Sequence, residues 1–141
     1  MGMLTGKCLC GAVIVKATPK REVIDACHCS MCRKWSAGPY LAMGCGDDVE
    51  ITGGSFIGVY QSSEWAERVF CKTCGTSIAW RLQGESEYHV STQIFEETHS
   101  YPFDMQVYID EKPKNYNFAE KTKTMTGAQI QAMFAPTSED N

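Results

Sequence analysis

Cysteine is the residue through which this chain could do chemistry. Eight cysteines occur in 141 residues. Seven of them fall in three short runs: Cys8-Leu9-Cys10-Gly11, Cys27-His28-Cys29-Ser30-Met31-Cys32 and Cys71-Lys72-Thr73-Cys74-Gly75, with Cys45 standing apart. In a secreted chain, disulfides would be the first reading of such a count. The stretch from Met1 to Gly6 has no basic region followed by an apolar run, so no export signal is expected. Gly6 also occupies the position where a myristoylation pattern requires Ser or Thr. A cytoplasmic location is therefore expected, and in a reducing compartment thiolate metal sites account for the cysteines better than disulfides do.

The spacing sorts the sulfurs into two sets. At a strand edge, residues i and i+2 share a face, so Cys8 and Cys10 can present both sulfurs to one ion. Cys71 and Cys74 form a knuckle, with Gly75 tolerating the turn that follows. Together these four thiolates make the closed tetrahedral donor set of a structural zinc, with Zn–S near ~2.3 Å. Such an ion would join distant parts of the chain and contribute directly to folding. Cys27, Cys29 and Cys32 combine both spacings in one run, enough for three sulfurs to wrap a second ion. Three protein ligands and an open position are the pattern of a catalytic zinc. Cys45 or His28 could close that position, which would make the second site structural as well. Zinc with three thiolates carries a formal charge of −1 and is a poor source of hydroxide. It suits an incoming thiolate better. Lys7, Arg33, Lys34, Arg68 and Lys72 stand within three residues of a cluster cysteine and can offset its charge.

Short β-prone runs separated by turn residues position these clusters. Strands are expected at 12–15, 22–26, 40–43, 49–52, 56–60, 67–70, 77–82, 88–92 and 105–109. Closely spaced strands without helical periodicity predict a mainly β, antiparallel fold, a small β-rich member of the α+β class. Helix is expected at 30–35, and again after Thr126, where Gln129 completes capping-box spacing and Ile130, Met133 and Phe134 follow at i, i+3, i+4. One domain spanning 1–135 is expected, with a tail at 136–141. The aromatic set Trp35, Tyr40, Phe56, Tyr60 and Trp80 reads as core, and His89 and His99 as ordinary strand or surface histidines. The net charge of −4 argues against nucleic acid as a partner. No apolar run approaches the roughly 20 residues of a membrane span.

The order Cys8-x-Cys10-Gly11, Cys27-His28-Cys29-x-x-Cys32-Arg33-Lys34 and Arg68-x-Phe70-Cys71-x-x-Cys74-Gly75-Thr76 resembles the glutathione-dependent formaldehyde-activating enzyme family, which also includes centromere protein V. The stretch from Gly54 to Ser63, ending Tyr60-Gln61-Ser62-Ser63, resembles that family's Gly…Tyr-x-Ser-Ser run, and likeness extends from about Leu4 to Phe118. The resemblance implies a β-tent fold of antiparallel sheets stapled by zinc, with two zincs per chain. It implies a structural ion on Cys8, Cys10, Cys71 and Cys74 and a catalytic one on Cys27, Cys29 and Cys32. It further implies carbon–sulfur lyase or synthase activity on S-hydroxymethylglutathione, with glutathione or another small thiol as partner and an adjacent base, for which His28 is a candidate. The chain departs from the family's later Pro-x-x-His-Ile segment at 102–107, and Tyr116 stands near the position of a family Trp. A zinc-stabilised module that binds without catalysing is the alternative function.

Overall fold

A computed structural model describes residues 2–134, so the tail expected at 136–141 lies outside the described residues. The elements in chain order are β1 (Leu4–Lys7), β2 (Ile14–Ala17), β3 (Ile24–Cys27), α1 (Ser30–Ser36), β4 (Tyr40–Gly46), β5 (Val49–Thr52), β6 (Ile57–Gln61), β7 (Ala66–Cys71), β8 (Ser77–Leu82), β9 (Tyr88–Ser91), β10 (Phe103–Val107), β11 (Lys123–Met125) and α2 (Gly127–Phe134). Strand dominates, so the fold is mainly β, and the chain forms two compact units.

The first unit takes residues up to Ile24 together with Leu41–Pro102. Here β2 runs antiparallel between β1 and β5, its Val15 opposite Gly6 and Ile51. Burial alternates along β1 and β2, as a strand with one face on a core requires. A second antiparallel array runs β4-β9-β8-β7-β6. Across it Met43, Val90, Ala79 and Val69 lie opposite one another in a single row, all essentially inaccessible to solvent. Val13, Val15, Ile78 and Phe95 complete that core. Each such side chain contributes about 1.5–3 kcal/mol when fully buried. The register of β4 against β9 slips between Gly44 and Gly46, leaving Cys45 as the extra residue of a bulge, its side chain buried in the core.

Two expectations about side chains are corrected in this unit. Phe56 and Tyr60 are exposed, at 49% and 65%, rather than core. Strand β6 ends the sheet order, and the Phe70 ring of β7 already fills the space over Gly58. Tyr60, two residues further along β6, stands largely in solvent.

The second unit takes Asp25–Tyr40 and the chain from Phe103 onward. Strand β3 neighbours β10, and β10 pairs with β11 in parallel, Met105 opposite Lys123 and Val107 opposite Met125. This pair departs from the antiparallel expectation. The chain between Val107 and Lys123 is long enough to make the crossover that a parallel pair demands. The capping box forms as the sequence predicts: Gln129 N–H donates to Thr126 Oγ1 at 3.2 Å, and Thr126 N–H donates to Gln129 Oε1 at 2.7 Å. Asp110 Oδ1 accepts the next amide, Gly127 N–H, at 2.8 Å. No helix among the described residues is long and apolar enough to cross a membrane.

Gly6 sets the approach of β1 to its surroundings, because a Cβ there would collide with the Ile94 carbonyl oxygen and lie 2.9 Å from Phe95 Cδ1. Gly6→Ala is therefore expected to destabilise the protein by about 1–3 kcal/mol through overpacking. Gly2→Ala, which meets nothing within 4 Å, should leave it unchanged. Denaturant unfolding of the two variants checks this, and equal midpoints would refute the close approach.

Candidate metal centres

In the first unit, β1 leads into Cys8 and Cys10, while β7 ends at Cys71 and a turn carries Cys74. The four sulfurs lie within 4.8 Å of one another. Cys10 Sγ is 3.7 Å from Cys8 Sγ and 3.8 Å from Cys71 Sγ, across 61 residues of chain. The two halves of the cluster are built alike. Gly11 N–H donates to Cys8 carbonyl oxygen and Gly75 N–H to Cys71 carbonyl oxygen, each glycine in the left-handed region at φ 86° and 82°. Backbone amides then point at the sulfurs: Val13 N–H at Cys8 Sγ, 3.3 Å, and Cys74 N–H at Cys71 Sγ, 3.5 Å. Such amides favour thiolate.

The protonation of this set shows why it calls for a cation. Hydrogen bonds from the Thr76 side chain and amide bring the Cys74 thiol down to about 5. The Ala12 amide pulls Cys10 the same way, yet burial and the sulfurs of Cys74, Cys8 and Cys71 push it up to about 11. Four thiolates at this separation cannot all ionise on their own. A positive ion at their centre removes the repulsion.

In the second unit, Cys27 ends β3 and Cys29 is the N-cap of α1, its sulfur accepting Cys32 N–H at 3.3 Å. That cap puts Cys32 on the first turn of α1, where its sulfur joins the other two within 4.8 Å. Hydrogen bonds to Cys29 and Cys32, and then burial, raise the Cys27 thiol far above its ordinary range. The same repulsion operates here with one sulfur fewer. Both clusters could hold metal ions, and an all-sulfur donor set suits zinc.

The two residues that might have closed the three-cysteine cluster are engaged elsewhere. Cys45 is buried in the first unit's core with its sulfur 3.7 Å from Met43 carbonyl oxygen, and burial, then Asp48 and Glu87, push its thiol up to about 12. His28 is fully buried, with Nε2 2.7 Å from Gln106 Oε1 and Nδ1 2.8 Å from Tyr116 Oη. Gln106 turns its amide nitrogen to Thr122 Oγ1, 3.0 Å away, so its oxygen faces His28. Nε2 therefore carries the proton, and Nδ1 accepts from Tyr116. Burial lowers the His28 pKa against the Gln106 bond, and Lys112 and Arg33 lower it further, so the ring is neutral. Arg33 Nε also donates to His28 carbonyl oxygen at 2.9 Å, fixing the backbone between Cys27 and Cys29.

The sequence did not single out Tyr108, Gln106, Glu111 or Lys112. Glu111 Oε1 accepts Ser30 N–H at 2.9 Å at the start of α1. Lys112 Nζ bonds Tyr116 carbonyl oxygen and lies 5.2 Å from the Tyr116 ring centroid. The one local signal was the density of polar and aromatic residues from Tyr108 to Tyr116, which reads equally well as an ordinary surface loop.

Comparison with known proteins agrees with this arrangement. The family profile described as glutathione-dependent formaldehyde-activating enzyme matches residues 3–111. An uncharacterized lyase of Schizosaccharomyces pombe is 38% identical over 126 residues, covering 89% of this chain and 92% of its own. The crystal structure of a Rhodobacter sphaeroides protein superposes with a TM-score of 0.58 at 25% identity, over 71% of this chain and 99% of that one. With its two cysteine clusters inside the matched stretch, the chain belongs to the glutathione-dependent formaldehyde-activating enzyme family.

Proposed function

We propose that the protein is a zinc-dependent carbon–sulfur lyase acting, in either direction, on the adduct of a small thiol with formaldehyde. Glutathione is the thiol that the family's description indicates, and the related yeast protein carries the name lyase. One zinc on Cys8, Cys10, Cys71 and Cys74 is structural, and one on Cys27, Cys29 and Cys32 takes part in the reaction. A cytoplasmic, reducing location fits eight thiols with no disulfide among them.

The observation that carries this reading is the engagement of Cys45 and His28 by other partners, which leaves the three-cysteine cluster without a fourth ligand from either. Zinc bound there supplies a soft acceptor for a substrate thiolate. The remaining chemistry needs no redox change. Synthesis forms a C–S bond as the formaldehyde carbonyl takes up a proton, giving a hydroxymethyl thioether. Cleavage returns the C–S electron pair to sulfur while the hydroxyl loses its proton and becomes the carbonyl. Within this scheme neutral His28 donates from Nε2 to Gln106 Oε1 and accepts a hydrogen bond at Nδ1 from Tyr116, so both ring nitrogens are engaged away from a metal.

Metal analysis of the purified protein is expected to give two zincs per chain, and a value of one would sink the two-site reading. Cys29→Ser should lose one zinc and all lyase activity while its circular dichroism stays that of the parent. Cys71→Ser should lose the structural ion and fail to fold or precipitate, because binding free energy at a closed zinc site is folding free energy. If both variants unfold alike, the three-cysteine cluster is a second structural site and the protein a binding module.

A further inference from the structure

His28 is the single residue between two sulfurs of the three-cysteine cluster. Side chains alternate along an extended run, so Cys27 and Cys29, whose sulfurs meet, share one face and the imidazole takes the other. The torsions of His28 therefore set the angle at which those two sulfurs converge. Cys27 is the last residue of β3 and Cys29 the cap of α1, so His28 belongs to neither element. Something else has to hold it.

Every hydrogen-bonding group of the residue is engaged. Its N–H donates to Val107 carbonyl oxygen at 3.1 Å, and its carbonyl oxygen accepts from Arg33 Nε at 2.9 Å. Nε2 donates to Gln106 Oε1 at 2.7 Å, and Nδ1 accepts from Tyr116 Oη at 2.8 Å. With the ring fully buried, turning it would leave a polar group unpaired inside the protein. Each partner of the ring is held in turn. Gln106 lies on β10, almost wholly buried, with its amide nitrogen on Thr122 Oγ1 at 3.0 Å, just before β11. The chain leaves β10 at Tyr108, in the left-handed region at φ 55°, and returns to lay Tyr116 beside the imidazole, ring centroids 5.6 Å apart. Phe118 packs edge-on to Tyr116 at 6.5 Å and to Phe103 at 4.7 Å, while Lys112 Nζ bonds the Tyr116 carbonyl oxygen. Most buried polar side chains are bonded for stability alone. This one differs in place, because its backbone is the link between two thiolates.

We propose that Gln106 and Tyr116 are positioning residues of the three-cysteine cluster: through His28 they fix the Cys27–Cys29 link, so that the sulfurs converge before a metal arrives. The metal then meets ligands already ordered, and the entropy of ordering them is not subtracted from its affinity. Thr122 acts one step further out, by turning the Gln106 oxygen toward the imidazole. This rests on the reading that the cluster holds a metal. The family profile ends at residue 111, so Tyr116 and Thr122 lie beyond the matched stretch, and half of the clamp comes from the chain that follows it.

Cobalt(II)-loaded full-length protein tests this, stripped stepwise by a chelator while the thiolate–cobalt absorption is followed. Cys29→Ser identifies the step that belongs to the three-cysteine cluster, since it is the step that variant lacks. Tyr116→Phe and Gln106→Leu are each expected to release that cobalt at about tenfold lower chelator concentration and to shift its absorption bands, with the four-cysteine step unmoved. Gln106→Glu keeps an oxygen for the Nε2 proton and should restore the parent's affinity, which a loss through disturbed packing would not allow. Tyr116→Phe retains its ring beside Phe118 at a partly buried position, so it decides the outcome if Gln106→Leu does not fold. Parent-like release in Tyr116→Phe, no rescue by Gln106→Glu, or equal weakening of both steps overturns the assignment while the two-zinc reading stands. A parent protein that takes up only one cobalt overturns both.

Discussion

Thiolates repel one another, and this chain gathers them in two groups whose sulfurs lie within 4.8 Å. Everything nearby serves to make that tolerable. Backbone amides are aimed at Cys8, Cys29 and Cys71, the hydroxyl of Thr76 at Cys74, and left-handed glycines follow the knuckles that allow it. These donors lower the cost of charge without cancelling it, as the high Cys10 and Cys27 thiols show. A β fold with eleven short strands among its described residues has little core to spare, and a cation on the four-cysteine set would add a cross-link that the core alone does not provide.

The two groups differ in how much of the fold they gather. Cys8 and Cys10 leave one sheet while Cys71 and Cys74 leave another, so the four-cysteine set ties sequence-distant strands. The three-cysteine set is local: one strand end, one helix cap and one helix turn within a single run. A metal on the first would hold tertiary structure together, whereas one on the second would hold a few side chains whose backbone already pairs with β10. That asymmetry supports the proposed division into a structural and a reacting cluster.

The grouping of seven cysteines into two sets was legible because metal-ligand spacing is short-range physics, written in i+2 and i+3 steps such as Cys8–Cys10 and Cys71–Cys74. The α2 start at Thr126 and Gln129 was legible for the same reason. Strands with β-branched runs, such as β5 and β8, matched expectation to the residue, while β10 began two residues early. Strands β1 and β11 were missed, since Leu-Thr-Gly-Lys and Lys-Thr-Met hold too few apolar residues to alternate. The parallel pairing of β10 and β11 depends on a crossover that no local pattern announces. His28 was noticed but its role was not readable, because its partners Gln106 and Tyr116 lie 78 and 88 residues away. Tyr108 was invisible: nothing in its own neighbourhood of sequence says that it will sit at φ 55°.

The bulge that buries Cys45 has a practical consequence for handling the protein. Alkylating reagents and disulfide exchange act on thiolate, and a thiol raised to about 12 inside a dry core offers almost none. Cys45 is thus a silent eighth sulfur. While the core is closed it will not compete with the clusters for a soft metal. Cys45 shares its core with Cys8 and Cys71, so a thiol reagent should reach it only when loss of the four-cysteine ion opens that core. The three local thiols report one metal, and the eighth reports unfolding.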